Sequence, residues 1–158
     1  MVKAVVMEPS PFDHPYRGGF VGKEHRFALT VFFEDTDTAG IVYHANYLRF
    51  FERARSDMLR AAGIDQRAAI DAGIGAYAVS EMDIKWRRPA KLDDDLIVIS
   101  RVTDVRNASC SIHQRVMRGN QILAEATVTA ALLTPEGRPR RQPPEWIDRF
   151  RAIEQKGN

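Results

Sequence analysis

The sequence predicts an α+β fold in which one long helix packs on a mostly antiparallel sheet. Three observations carry this prediction. Ala45 to Ala62 repeats apolar residues at helical steps. Five other segments are rich in β-branched and aromatic residues or alternate apolar with polar. Only the first connection between those segments is helical, and the rest are mainly tight turns of the kind that join antiparallel neighbours. A length of 158 residues corresponds to about one domain with a core of its own.

Residues 1–23 hold prolines and glycines without a sustained period and read as an irregular N-terminal extension. Glu24 to Phe33 is rich in β-branched and aromatic residues and predicts the first strand, and Glu34 to Gly40 is a polar turn at its end. In the helix, Tyr47, Phe50, Phe51, Ala54, Met58 and Leu59 form one apolar stripe, and Gly63 is the stop signal. Its length of roughly 27 Å is enough to lie across a sheet. Ile64 to Gly75 is a loop or short helix. Strands follow at Ala76–Arg88, Leu96–Val105, Ser109–Arg118 and Gln121–Thr134. In the first of these, Val79, Met82, Ile84 and Trp86 are the apolar markers. Turn signals at Pro89–Asp95, Asn107-Ala108 and Gly119-Asn120 separate them. A basic, proline-rich turn and a short helix at Glu145–Ile153 close the chain. The division is therefore 1–23 extension, 24–135 domain, 136–158 tail.

Composition removes several function classes. Lys+Arg 23 against Asp+Glu 21 leaves +2, too balanced for a nucleic-acid coat. Cys110 is the single cysteine, so neither an intramolecular disulfide framework nor a CxxC metal or redox motif exists. No stretch has the 18 or so apolar residues of a membrane span, and Met1–Met7 runs into Glu8-Pro9 too soon for a signal peptide. These features predict a cytoplasmic protein without membrane insertion. Gly18 to Glu24 resembles a phosphate loop only faintly, with wrong glycine spacing and no Ser or Thr after Lys23. Gly73-Ile74-Gly75 lacks a third glycine, and no G-x-S-x-G nucleophile elbow occurs. Cys110, mid-strand, reads as structural.

One segment collects chemistry. Asp35, Asp37, Gly40 and His44 crowd the junction between the first strand and the long helix. Backbone N–H groups at a helix start are unsatisfied and partly positive. They suit a developing oxyanion, and a nearby carboxylate suits a base or nucleophile, so acyl transfer needs neither Ser nor Cys. The same residue types also cap and terminate elements, and a lone His44 also suits a structural hydrogen bond. Paired ligand spacing for a metal is missing.

The run Phe32 to Tyr47, with E-D-T-D at Glu34–Asp37, Gly40, Val42-Tyr43-His44 and the E-R-A-R of Glu52–Arg55, resembles the 4-hydroxybenzoyl-CoA thioesterase group of hotdog-fold proteins. Within that group it is most similar to the Tol–Pal-associated acyl-CoA thioesterase branch. Arg88-Pro89-Ala90-Lys91-Leu92-Asp93-Asp94 resembles the R-P-A-x-x-D-D of the same family, and the resemblance spans roughly residues 24–135. It implies a long helix wrapped by a five-stranded antiparallel sheet, homodimers that pair into tetramers, and hydrolysis of acyl-CoA without a metal or organic cofactor. Carried over by position, it makes Asp37 the catalytic carboxylate, as nucleophile or as base for water. It also puts His44 where a backbone N–H polarises the thioester carbonyl.

Gly40, Ile41, Val42, Tyr43 and Asn46 would then shape the substrate site. Glu52 either faces the pocket or pairs with Arg55 or Arg49. Arg87, Arg88, Arg106, Arg138, Arg140 and Arg141 are candidates for the CoA phosphates, with Arg88 and Arg106 foremost. A non-catalytic acyl-CoA-binding or scaffolding protein is the alternative from another class. The Asp/His setting of a hotdog dehydratase is not found.

Overall fold

The computed structural model describes residues Met1–Gly157. In chain order it contains β1 (Gly19–Val21), β2 (Glu24–Thr30), a 3-10 turn (Phe33–Asp35), α1 (Asn46–Ala61) and α2 (Gln66–Asp71). Strands β3 (Ala76–Trp86), β4 (Asp95–Val105), β5 (Ser109–Arg118) and β6 (Gln121–Leu133) and helix α3 (Pro144–Ile153) follow. The strands form one sheet in the order β1-β2-β4-β5-β6-β3, every neighbour antiparallel. The long helix is thus the crossover that carries the chain from one side of the sheet to its far edge.

The sheet has six strands where the sequence predicts five. The additional strand falls in the segment read as irregular. Gly22, at φ +61°, turns the chain so that Val21 pairs with Glu24 and Gly19 with Arg26. Of the glycines that imitate a phosphate loop, Gly22 makes the turn of a hairpin and Gly19 opens its first strand.

Helix α1 buries Tyr47, Phe50, Phe51, Ala54, Met58 and Leu59, as its stripe predicts, together with Arg55 and Asp57. Its first half packs on Val98, Val116, Ala126 and Val128. Its second half packs on Val102, Ile112, Leu132 and on Trp146 and Phe150 of α3. The tail is therefore part of the core. Gln142 fixes it: its amide nitrogen donates to the Arg106 carbonyl at 2.8 Å, and its backbone N–H donates to the Asn107 carbonyl at 2.8 Å.

Two polar sets lie inside this apolar shell. Gln114 donates to the Phe51 carbonyl and to Ser100 Oγ, and accepts from Arg55 at 2.8 Å. Completely buried His25 meets Asp57 at 2.8 Å, and the Gly18 N–H also donates to Asp57, at 3.0 Å. This pairing ties the β1–β2 hairpin to α1. Burial lowers the pKa of His25 below its ordinary value, and its hydrogen bond to Asp57 opposes that shift.

In β3 a bulge between Val79 and Glu81 resets the alternation. Tyr77 and Val79 before it, and Met82, Ile84 and Trp86 after it, therefore share the helix-facing side. Because β3 is an edge strand, Val79 and Trp86 remain 45% and 47% exposed.

Candidate functional site

The segment between β2 and α1 is shaped by backbone bonds that follow from its sequence. The Phe32 N–H donates to the carboxylate of Asp35 at 2.8 Å, closing the 3-10 turn. Asp35 is buried, and its carbonyl accepts from the Tyr43 N–H at 3.0 Å and the Asn46 side-chain amide at 2.8 Å. Asp35 and Asn46 therefore brace the loop. Asp37 lies at its exposed tip. The Gly40 N–H donates to the Asp37 carbonyl at 3.0 Å, and the Asp37 N–H donates to the Ile41 carbonyl at 2.9 Å. Gly40 adopts φ +78°, a conformation strained for side chains with a Cβ, and so closes the turn. The Ala39 N–H donates to Asp37 Oδ1 at 2.8 Å, which fixes the carboxylate. It borders an open cleft of about 540 Å³ with Phe33, Thr38 and Leu92.

The far side of the loop leads into α1. Val42 is buried, and its N–H donates to the Ala90 carbonyl at 2.9 Å, joining the loop to the R-P-A-x-x-D-D turn. Tyr47 Oη accepts from the Ala90 N–H at 3.2 Å on the other side of the same residue. That turn is held in its own right: Arg118 reaches Asp94 at 2.8 Å, and the Lys91 N–H donates to the Asp94 carboxylate at 2.9 Å. The Lys91 amide first, then Arg118, keep the Asp94 carboxyl below its usual range.

Helix α1 begins without a side-chain cap, Ala45 being its N-cap residue. Among the described residues neither the His44 nor the Ala45 N–H donates a hydrogen bond. These are the free amides that the loop-to-helix junction predicts. His44 lies edge-on between Tyr43 and Trp86, with ring centroids 4.6 and 5.8 Å away. It lines a second cleft, of about 300 Å³, with Ile41, Trp86, Arg87 and Arg88. One loop thus presents Asp37, Gly40, Ile41, Tyr43 and His44 and reaches Arg88, with Val42 and Asn46 holding it from behind.

Arg106 is elsewhere. It follows β4 and donates its N–H to the Ser109 carbonyl, at the end of the sheet where Ala76 pairs with Leu133. Trp86 and His44 are at the opposite end, and an eleven-residue strand spans roughly 33 Å. Its neighbours at that end include Arg140, which donates to the Gly73 and Ile74 carbonyls. Arg87 pairs with Glu125 at 2.6 Å, and Arg106 with Asp104 at 2.8 Å. Glu52 pairs with buried Arg55 rather than Arg49. A small, partly open cavity of about 60 Å³ lies beside this pair, floored by Cys110, Ile112 and Phe150 and walled by Tyr77 and Val79. Cys110 is a core residue, its thiol pushed up to about 12 by burial.

Trp86 lines the His44 cleft and no sequence motif marks it, whereas Phe33 and Leu92, which border the Asp37 cleft, lie inside the Phe32–Tyr47 and Arg88–Asp94 segments. Trp86 is visible only as one apolar position of an alternating strand. Among the described residues, no cluster of three or more His, Cys, Asp or Glu has metal-binding geometry, and no helix is long and apolar enough to cross a membrane.

Comparison with known proteins agrees with this fold. The profile of the Thioesterase-like superfamily matches residues 31–151. An acyl-CoA thioesterase YbgC of Haemophilus influenzae is 42% identical over 105 residues, 66% of this chain and 77% of that protein. An acyl-CoA thioester hydrolase YbgC of Escherichia coli is 36% identical over 128 residues, 80% of this chain and 95% of that protein. The crystal structure of a probable thioesterase from Bartonella henselae superposes with TM-score 0.71 at 37% identity, covering 76% of this chain and 99% of that one. The Phe32–Tyr47 loop, the central helix, strands β3 to β6 and the Arg88–Asp94 turn all fall within the residues that the profile matches, and the chain belongs to the Thioesterase-like superfamily of hotdog-fold proteins.

Proposed function

We propose that the protein hydrolyses acyl-CoA thioesters to the free acid and CoA. The observation that carries this is the pairing of a fixed, exposed carboxylate, Asp37, with the unpartnered His44 and Ala45 amides on a single loop. Thioester hydrolysis needs a base or nucleophile, and donors where negative charge develops on the carbonyl oxygen. The free amides at the start of α1 supply the second, aided by the partial positive charge of a sixteen-residue helix. The relatives named as acyl-CoA thioesterases support the substrate class.

Asp37 acts by one of two routes. Its carboxylate attacks the carbonyl carbon, CoA thiolate leaves, and water cleaves the resulting anhydride. Alternatively it takes a proton from a water molecule that attacks directly. Gly40 and Ile41 shape the turn behind the carboxylate, and Tyr43 borders the reacting carbonyl.

A second copy of the chain completes the site in this proposal. The eleven-residue β3 is a free edge, and an unpaired edge of that length invites a neighbour. Antiparallel pairing of two β3 edges about a two-fold axis brings the Ala76 end of one copy beside the Trp86 end of the other. Arg106 of one copy then approaches His44 and Arg88 of the other, and these arginines serve the CoA phosphates. The cavity beside Tyr77 and Val79 comes to the same place and receives the acyl group.

The test is a panel of acyl- and aryl-CoA thioesters assayed on the wild type and on Asp37→Asn. Turnover by the wild type, abolished in a folded Asp37→Asn, is the expected result. Binding of acyl-CoA without hydrolysis across the panel would instead favour a binding or scaffolding role.

A further inference from the structure

We infer that Trp86 is a positioning residue for the amides that polarise the thioester carbonyl, an assignment that rests on the thioesterase reading above. The indole Nε1–H of Trp86 donates to the His44 carbonyl oxygen at 3.0 Å. That carbonyl belongs to the peptide joining His44 to Ala45. The described chain contains no cis peptide bonds, and in a trans peptide the C=O and N–H point in opposite directions. Holding the His44 oxygen toward Trp86 therefore aims the Ala45 N–H away from Trp86.

The preceding peptide is held in the same way. Its carbonyl, that of Tyr43, accepts from the Asn46 N–H at 2.8 Å, which aims the His44 N–H away from the helix. Two consecutive amides thus have their orientations set from behind, by donors to their peptides' carbonyls rather than by their own bonds. One of the two anchors is the first helical turn itself. The other is a side chain from a different element, at the end of edge strand β3.

Bulk packing does not account for this contact. Within a single chain Trp86 is 47% exposed and contributes modest burial, whereas Trp146 is buried in the second core cluster. The Trp86 ring also stands edge-on to the His44 imidazole, at 5.8 Å, which keeps that side chain beside the cleft. An oxyanion donor is effective when its direction is set before the charge develops. Loosening the His44–Ala45 peptide consequently penalises the transition state more than the bound thioester.

Trp86→Phe removes the indole N–H and keeps an aromatic ring. Steady-state kinetics on the acyl-CoA turned over best by the wild type, with Asp37→Asn as the inactive reference, measures the effect. The expected result is a drop in kcat of roughly 10-fold, smaller than the 10²–10³-fold loss on deleting a donor itself. KM and inhibition by free CoA should stay within about twofold, and thermal midpoints close to wild type. A kcat within twofold of wild type overturns the assignment, as does a rise in KM that accounts for the whole loss of kcat/KM. If the wild type and Asp37→Asn do not differ, the thioesterase reading fails and the assignment falls with it. If they differ and Trp86→Phe matches the wild type, only the Trp86 assignment fails.

Discussion

Replacing Asp57 with Ala tests how the N-terminal hairpin is held on the fold. Asp57 lies on the buried face of α1, 4% exposed, and accepts from His25 Nε2 at 2.8 Å and from the Gly18 N–H at 3.0 Å. Arg60 stands 3.7 Å away on the solvent side. His25 is completely buried and, among the described residues, its Nδ1 has no partner and Asp57 alone satisfies the ring. Truncation leaves both ring nitrogens of His25 and the Gly18 N–H unpaired.

Each of the two newly stranded donors, His25 Nε2–H and the Gly18 N–H, costs about 1–3 kcal/mol, towards the upper end because both bond a carboxylate. We therefore expect a loss of about 3–5 kcal/mol from a total of about 5–15 kcal/mol. At about 2–4 °C per kcal/mol for a chain of this size, the melting midpoint falls by roughly 6–20 °C. Urea denaturation followed by circular dichroism at pH 7.5 measures the loss directly. Asp57→Asn keeps one acceptor oxygen and should lose less than Asp57→Ala. A loss below about 1 kcal/mol for Asp57→Ala would refute the idea that this pairing clamps the hairpin.

Stability should also fall on acidification. Burial holds His25, and likewise His113, below the ordinary histidine value. The unfolded chain therefore binds these protons first; the stabilisation is complete above about pH 6.5 and is lost as pH falls toward the folded values. His25→Leu should flatten the pH 7 to 5 limb of a stability titration only in part, because His113 remains. Phe150→Ala opens the core beneath the tail at a residue 1% exposed and should cost about 3–5 kcal/mol by urea titration. That cost would be absent if the tail only rested on the surface. A single turnover of excess enzyme in H₂¹⁸O, analysed by mass spectrometry of the Asp37 peptide, tests for the anhydride. Label in the peptide requires an anhydride cleaved at the Asp37 carbonyl, whereas label in the product alone is common to water activation and to an anhydride cleaved at the acyl carbon.

Much of the candidate site was legible in the chain because its parts are consecutive. Asp37, Gly40 and His44 lie within eight residues, and a turn followed by an uncapped helix brings them to one loop by local geometry alone. Asp35 and Asp37 look equivalent as letters. The structure separates them, because the Phe32 N–H closes a 3-10 turn on Asp35 and buries it. Trp86 stayed hidden because its role depends on a contact across 42 residues of chain, between an edge strand and a helix start. The tail likewise reads as a basic appendage, since nothing local announces that Trp146 and Phe150 fill the space beneath the second half of α1.

Local periodicity and turn chemistry determined the helix, five of the six strands and the loop that carries the carboxylate, because each depends on residues a few positions apart. The hairpin of Gly19–Val21 escaped because three residues are too few to show a period. Tertiary structure alone decided that Arg106 and Arg88 stand at opposite ends of the sheet, that Glu52 is held by Arg55, and that β3 is left as a free edge. Strand order and side-chain pairing depend on how distant segments meet, and that is set when the sheet closes around the helix.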